Sequence, residues 1–265
     1  MNLNLIKLTE KVCELAKDVG SFIEEESVKL KTTDIKDKDK NSFVTYVDIE
    51  AEKKIIKGLS LLLPGSTFIT EENTIKKTEG EYTWIVDPLD GTTNYIHGIP
   101  VFSISIALQK KSKTIVGLVY EINKKECFYS CEGSAAFLNG EEIKVSKNLV
   151  LSDSLLATGF PYYDYSLLKN YISLFTECMK RCRGIRRLGS AAVDLAYVAC
   201  GRFEGFFEYG LNSWDVAAGA FIVKQAGGNV TDFSGTNEFI SSREILATNS
   251  SIHNEFISLL NEHFA

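Results

Sequence analysis

Trp84-Ile85-Val86-Asp87-Pro88-Leu89-Asp90-Gly91-Thr92-Thr93-Asn94-Tyr95 is the stretch on which the reading of this chain turns. Trp84, Ile85 and Val86 form an apolar run that reads as a buried strand over 82–86, leading straight into Asp87. Pro88 removes a backbone donor and fixes φ, so the strand is expected to stop there, with Asp87 and Asp90 on one turn and the Leu89 carbonyl between them. Gly91-Thr92-Thr93 then opens a short helix with backbone N–H groups free for an anion. Two carboxylates, a carbonyl and a hydroxyl are hard oxygen donors of the kind Mg²⁺ prefers. The same residues also make an ordinary Asp-Pro and Asp-Gly turn, and alone they do not separate the two readings.

Three further acidic positions fall where predicted strands end or helices begin. Asp48 opens a helix over 48–63, after a strand-like stretch at 43–47. Glu71-Glu72 close a strand at 67–70. Asp215 starts the small-residue helix 214–225. Singly, each reads as a strand-end or capping acid. Brought together, Glu71, Asp87, Asp90 and Asp215 would repel one another unless cations neutralised them. Two divalent ions about 4 Å apart would do so and would make a phosphoryl-transfer site.

Helical periodicity covers 3–27, and 29–41 reads as a solvated lysine- and aspartate-rich loop in a position to act as a lid. A β-rich block follows at 102–109, 113–122 and 126–130, with a turn at Asn139-Gly140. Beyond residue 150 strands and helices alternate: 155–158, 165–181, 185–188, 190–199, 205–209, 214–225, 245–248 and 251–262. The change of texture predicts two fused lobes, 1–150 and 151–265, in a layered α+β fold rather than one doubly wound sheet.

Length and composition exclude several classes. The chain has 265 residues, 45% hydrophobic and 24% charged, so disorder is excluded, and 29 basic against 35 acidic residues give a net charge of −6. That balance supplies no cationic field for nucleic acid. No apolar run approaches membrane-spanning length and no leader-like stretch opens the sequence, which reads as cytoplasmic. Six cysteines are too few for a disulfide scaffold; Cys127/Cys131 and Cys178/Cys182 are weighed as a zinc site and read as packing residues. Of three histidines, His97 lies past the Thr-Thr turn, while His253 and His263 read as surface residues of the last helix. Serine–histidine or cysteine–histidine catalysis therefore has little support. Arg181, Arg183, Arg186 and Arg187 make a basic stretch, read as a solvated helix end or the edge of a phosphate site.

Glu71-Glu72, the dodecapeptide from Trp84 to Tyr95, and Trp214-Asp215-Val216-Ala217-Ala218-Gly219 together resemble the inositol monophosphatase family. These are magnesium-dependent, lithium-sensitive phosphatases related to fructose-1,6-bisphosphatase. The resemblance implies a layered α/β/α/β/α sandwich of the sugar-phosphatase type, a homodimer, two to three Mg²⁺ ions and a small phosphorylated polyol or sugar as substrate. It implies that Glu71, Asp87, the Leu89 carbonyl, Asp90 and Asp215 hold the metals. Asp48 and Thr92, with Glu71, would act on the attacking water, and the Gly91 and Thr92 N–H groups would cradle the phosphate. Gly189, Ser190, Ala191 and Glu208, with Asp90 and Asp215, would contact the polyol. Thr70 departs from the family's usual Gly, and Lys36, Lys38 and Lys40 are equal candidates for a functional lysine. The implied activity is inositol-1-monophosphatase, by direct attack of Mg²⁺-activated water on phosphorus. Fructose 1,6-bisphosphate, histidinol phosphate, NADP and 3′(2′),5′-bisphosphonucleotides remain as alternative esters. The rival from another class is a non-catalytic metal-binding regulatory module.

Overall fold

Asn4 caps α1 (Leu5–Ser27) by accepting the Lys7 N–H at 3.0 Å, and Leu8, Val12, Ala16, Val19 and Ile23 carry the helix's apolar stripe inward. The computed structural model describes residues 3–39, 42–75, 80–162 and 164–264. After a 3₁₀ turn at Thr32–Asp34 comes a ribbon of β1 (Lys36–Asp39) and β2 (Ser42–Val44). This corrects the expected loop at 29–41 and the expected strand at 43–47. The ribbon forms by backbone pairing, with Lys36 opposite Val44 and Asp37 opposite Phe43, and apolar periodicity does not report such pairing. β2 gives way to α2 (Tyr46–Leu62) because the Thr45 hydroxyl caps it, accepting the Val47 N–H at 3.1 Å. Of the three candidate lysines, Lys40 lies outside the described residues.

β3 (Thr67–Thr70), β4 (Tyr82–Asp90), β5 (Ser103–Lys110), β6 (Lys113–Glu121), β7 (Glu126–Cys131), β8 (Ala136–Leu138) and β9 (Glu141–Ile143) form one sheet in chain order. Only the β3–β4 pair is parallel. A short helix, α3 (Thr92–Ile96), interrupts the path from β4 to β5. The second half of the chain supplies β10 (Leu155–Thr158), α4 (Leu168–Arg181), β11 (Gly184–Arg186), α5 (Ala191–Ala199), β12 (Gly205–Tyr209), α6 (Ser213–Gln225), β13 (Asn229–Thr231), β14 (Glu244–Thr248) and α7 (His253–Phe264). Its strands make a second sheet, ordered β11-β10-β12-β14-β13. The sequence did not reveal β13, which is too short to show a period.

Alternation along the strands explains the layers. Trp84 and Val86 of β4 face a core with α1 and α2, while Ile85 between them faces α5 and α6. Likewise Phe206, Ile245 and Ala247 join the α5–α6 core, while Phe207 and Leu246 face α4 and α7. Both sheets are covered on both faces, so their central strands read as continuous apolar runs. The order is helices, sheet, helices, sheet, helices, a layered α/β/α/β/α fold. Residue 150 falls between the two sheets, and the middle core crosses that point, because α5 and α6 pack on Ile85, Ala107 and Val119 of the first.

His253 is buried at 5% exposure, not on the surface; as the first residue of α7 it turns inward between the Thr231 and Thr248 hydroxyls, 3.2 and 2.9 Å from its ring nitrogens. All six cysteines are free, with Cys127 and Cys131 in the first core and Cys178 in the third, too far apart in the layering to share a zinc ion.

Candidate active site

β4 does not stop at Pro88. It continues to Asp90 through a bulge, with Asp87 opposite Ser105 and Asp90 opposite Ser103, so that Pro88 and Leu89 together oppose Ile104. The Asp87 Oδ1 takes the Leu89 N–H at 2.9 Å, and the missing Pro88 donor falls where the ladder needs none. The Leu89 side chain enters the core while its carbonyl stands 3.1 Å from Thr92 Oγ1. Gly91 follows at φ 97°, a left-handed conformation, and a Cβ there would meet the Val101 carbonyl at 3.0 Å.

Three helix N-termini hold the acids. Asp48 Oδ2 accepts the Thr45 N–H at 2.9 Å and its hydroxyl at 2.6 Å, leaving Oδ1 to receive the Thr92 hydroxyl at 3.1 Å. Asp90 Oδ2 accepts the Ser190 hydroxyl at 2.6 Å and the Ala192 N–H at 2.8 Å, at the start of α5. Asp215 Oδ2 accepts the Asn212 N–H at 2.7 Å, at the start of α6. In each case one oxygen is spent on a helix terminus whose dipole favours the charge, and the other is left over. Asn94, closing the motif, donates to both Val101 and Leu188 carbonyls at 2.8 Å and so ties α3 to the segment entering Gly189.

One pocket is lined by Glu71, Asp87, Leu89, Asp90, Gly91, Thr92, Gly189, Ser190, Ala191, Glu208 and Asp215. Every site residue taken from the sequence is among them except Asp48, which stands one hydrogen bond behind Thr92. Ser190 reaches the pocket with its hydroxyl already committed to Asp90. Thr70 ends β3 opposite Val86, and its buried hydroxyl has no partner among the described residues.

The pocket also contains residues the sequence did not single out. Asp194 is buried on the first turn of α5, its Oδ1 without a hydrogen-bond partner among the described residues. The basic stretch divides: Arg181 pairs with Glu177 at 2.8 Å and Arg183 with Asp153 at 3.1 Å, whereas Arg187 turns to the pocket and bonds the Tyr162 hydroxyl. Glu208 is 6% exposed and lies flat against Gly159, where an added Cβ would come within 2.1 Å of its carboxylate. Gly159→Ala is therefore expected to displace the Glu208 carboxylate, raising KM for a polyol ester about tenfold with kcat little changed. An unchanged KM would separate Glu208 from substrate binding.

Charge in this pocket is unbalanced. Burial, then the charges of Glu71, Asp90 and Asp215, push Asp87 well above the usual carboxylate range. Burial does the same to Asp215, with Asp90 and Glu71 adding to it, and raises Glu208 and Asp194. Asp90 is raised by burial to about 6 despite its bonds to Ser190 and Ala192, and Asp48 by burial to about 6 despite those to Thr45. Arg187 is the one basic side chain among the lining residues. Among the described residues no three His, Cys, Asp or Glu side chains are gathered into a ready-made ligand group. The acids instead face one pocket from β4, α5, β12, α6 and the turn after β3, with some oxygens turned onto N–H groups. An all-oxygen, buried, anionic donor set of this kind fits Mg²⁺ and does not fit a soft metal.

The layers and this acid-lined pocket define a protein of the sugar-phosphatase fold. More narrowly, the chain belongs to the inositol monophosphatase family, whose model matches residues 4–265. It is 39% identical over 253 residues to the Nus factor SuhB of Pseudomonas aeruginosa, covering 94% of this chain and 93% of that one. The extragenic suppressor protein suhB of Bartonella henselae superposes with a TM-score of 0.90 at 36% identity, over 95% of this chain and 97% of that one. The inositol monophosphatase of Anabaena does so with a TM-score of 0.86 at 35% identity, over 98% of both. Among the described residues no helix is long and apolar enough to cross a membrane.

Proposed function

We propose that this chain is a Mg²⁺-dependent phosphate monoester hydrolase whose preferred substrate is inositol 1-monophosphate. The observation that carries the reading is the Thr92–Asp48 hydrogen bond, 3.1 Å long, behind a pocket that Thr92 lines with Asp87, Asp90 and Asp215. Held by Glu71, Asp87, the Leu89 carbonyl, Asp90 and Asp215, Mg²⁺ would supply charge neutralisation and Lewis acidity toward the phosphoryl oxygens. The residues do the rest. Thr92 donates its hydroxyl hydrogen bond to Asp48 Oδ1 and so presents its lone pairs to an incoming water, which it orients for in-line attack. Asp48, held at about 6, is poised to take up a proton relayed through Thr92 near neutral pH. The N–H groups of Gly91 and Thr92 offer donors to the phosphate, and the Glu208 carboxylate offers acceptors to the polyol hydroxyls.

The test is phosphate release from inositol 1-phosphate, fructose 1,6-bisphosphate, adenosine 3′,5′-bisphosphate, histidinol phosphate and NADP, each with Mg²⁺, with EDTA, and with Mg²⁺ plus Li⁺. Metal-dependent release led by the inositol ester is expected. Release led by another ester would keep the chemistry and move the role of Glu208. No release from any of them would favour the second reading, for which the relatives' name is the supporting observation. On that reading the chain serves as a Nus factor without turnover. With a net charge of −6, the chain would make its contacts with protein rather than with nucleic acid.

A further inference from the structure

Glu52 lies one helical turn beyond Asp48 on α2 and is completely buried. Its carboxylate accepts three hydrogen bonds, all from the turn that follows β3. Oε2 takes the Glu72 N–H at 2.8 Å, and Oε1 takes the Thr74 N–H at 2.8 Å and the Thr74 hydroxyl at 2.6 Å. The same turn bonds the Glu71 N–H to the Val86 carbonyl at 3.2 Å and the Asn73 side chain to the Glu71 carbonyl at 2.9 Å. Asn73 itself is left-handed, at φ 52°. The Glu71 peptide is thus fixed from β4 on one side and from α2 on the other.

Enclosing a carboxylate is costly, and these three donors offset that cost only while the turn keeps its shape. A turn of this length could be closed by exposed polar groups. Here it is closed by a buried acid, on the helix that also carries Asp48. At i and i+4 the two acids share one face of α2, Asp48 reaching the Thr92 hydroxyl and Glu52 the turn that bears Glu71.

We propose that Glu52 is a positioning residue for Glu71. α2 then sets the spacing between the water-orienting pair and the acid expected to hold metal. This role rests on the proposed Mg²⁺-dependent hydrolase. Partners that orient metal ligands typically contribute 10- to 100-fold to metal affinity.

Glu52→Gln keeps size and shape but loses the charge and cannot accept from all three donors. Two readouts on the full chain test it, neither of them turnover: amide hydrogen exchange at Glu72 and Thr74, and calorimetric titration with Mg²⁺. Exchange at both amides should accelerate, and Mg²⁺ affinity should fall by about tenfold or more. Thr74→Val removes one donor from an exposed residue, so it remains available if Glu52→Gln does not fold; it should weaken Mg²⁺ in the same direction by a smaller factor. Faster exchange with Mg²⁺ affinity within about twofold of wild type, in whichever variant folds, would make Glu52 a structural clamp and overturn the proposal, since a positioning partner is worth at least about tenfold. Wild-type protein that binds no Mg²⁺ would overturn the hydrolase reading, and this role with it, before any variant is made.

Discussion

Asp90→Asn should lower Mg²⁺-dependent phosphate release by about a thousandfold or more while leaving the protein as stable as before or more so. The two effects have separate origins. An asparagine carbonyl can occupy the place of Oδ2 and keep the bonds from Ser190 and Ala192, now 2.6 and 2.8 Å long, so the start of α5 is preserved. Its amide then stands where the remaining oxygen of Asp90 served the pocket, replacing an acceptor by a donor that no cation tolerates. One negative charge also leaves a pocket in which Asp90 raises both Asp87 and Asp215, which relieves repulsion in metal-free protein. Phosphate release across a Mg²⁺ titration, with melting in EDTA, reads both. A purely structural acid would lose stability with little change in turnover at the surviving fold. Turnover within about tenfold of wild type would remove Asp90 from the proposed metal site.

What the sequence made legible was local. The order of strands and helices, and the acids at their ends, follow from apolar period and turn chemistry over a dozen residues. The misses share one cause: the partner that decides the outcome is fixed by folding and not by local pattern. Pro88 read as a stop because its missing donor is visible in the sequence. The bulge opposite Ile104, which makes the donor unnecessary, depends on β5. Glu52 carries no signal in the sequence, since its partners are 20 and 22 residues away. Four arginines in seven positions gave no hint that only Arg187 turns to the pocket, because Glu177 and Asp153 claim two of its neighbours. His253 reads as a surface residue of the last helix, and the hydroxyls that draw it inward belong to β13 and β14.

Metal-free protein should melt at a higher temperature near pH 5 than near pH 8, the reverse of what paired surface carboxylates would give. In the folded chain Asp48 and Asp90 titrate at about 6, above the ordinary 3.8 they regain on unfolding. Between those values the native state holds protons that the unfolded state releases, so stability is fully present below about pH 4 and is lost as pH rises through about 6. A rise of about two pKa units corresponds to on the order of 3 kcal/mol for each group. Asp87 and Asp215 are raised further by burial and mutual charge, and they carry the loss to still higher pH. His253 opposes them: burial lowers its pKa, so its contribution is lost as pH falls below its usual 6.5. Asp194 and Glu208, also raised by burial, act with the other four, so His253 is one group against six. Mg²⁺ adds the complementary half, because a cation at the acids competes with the same protons. At about a hundred times its dissociation constant it contributes roughly 2.7 kcal/mol. Its stabilising increment should therefore be small near pH 5 and large near pH 8, closing the gap that the metal-free protein shows. Scanning calorimetry at the two pH values, with EDTA and with saturating Mg²⁺, measures all four corners. Equal melting in EDTA at both, or a larger Mg²⁺ increment in acid, would mean that these acids are neutralised by something other than a divalent cation.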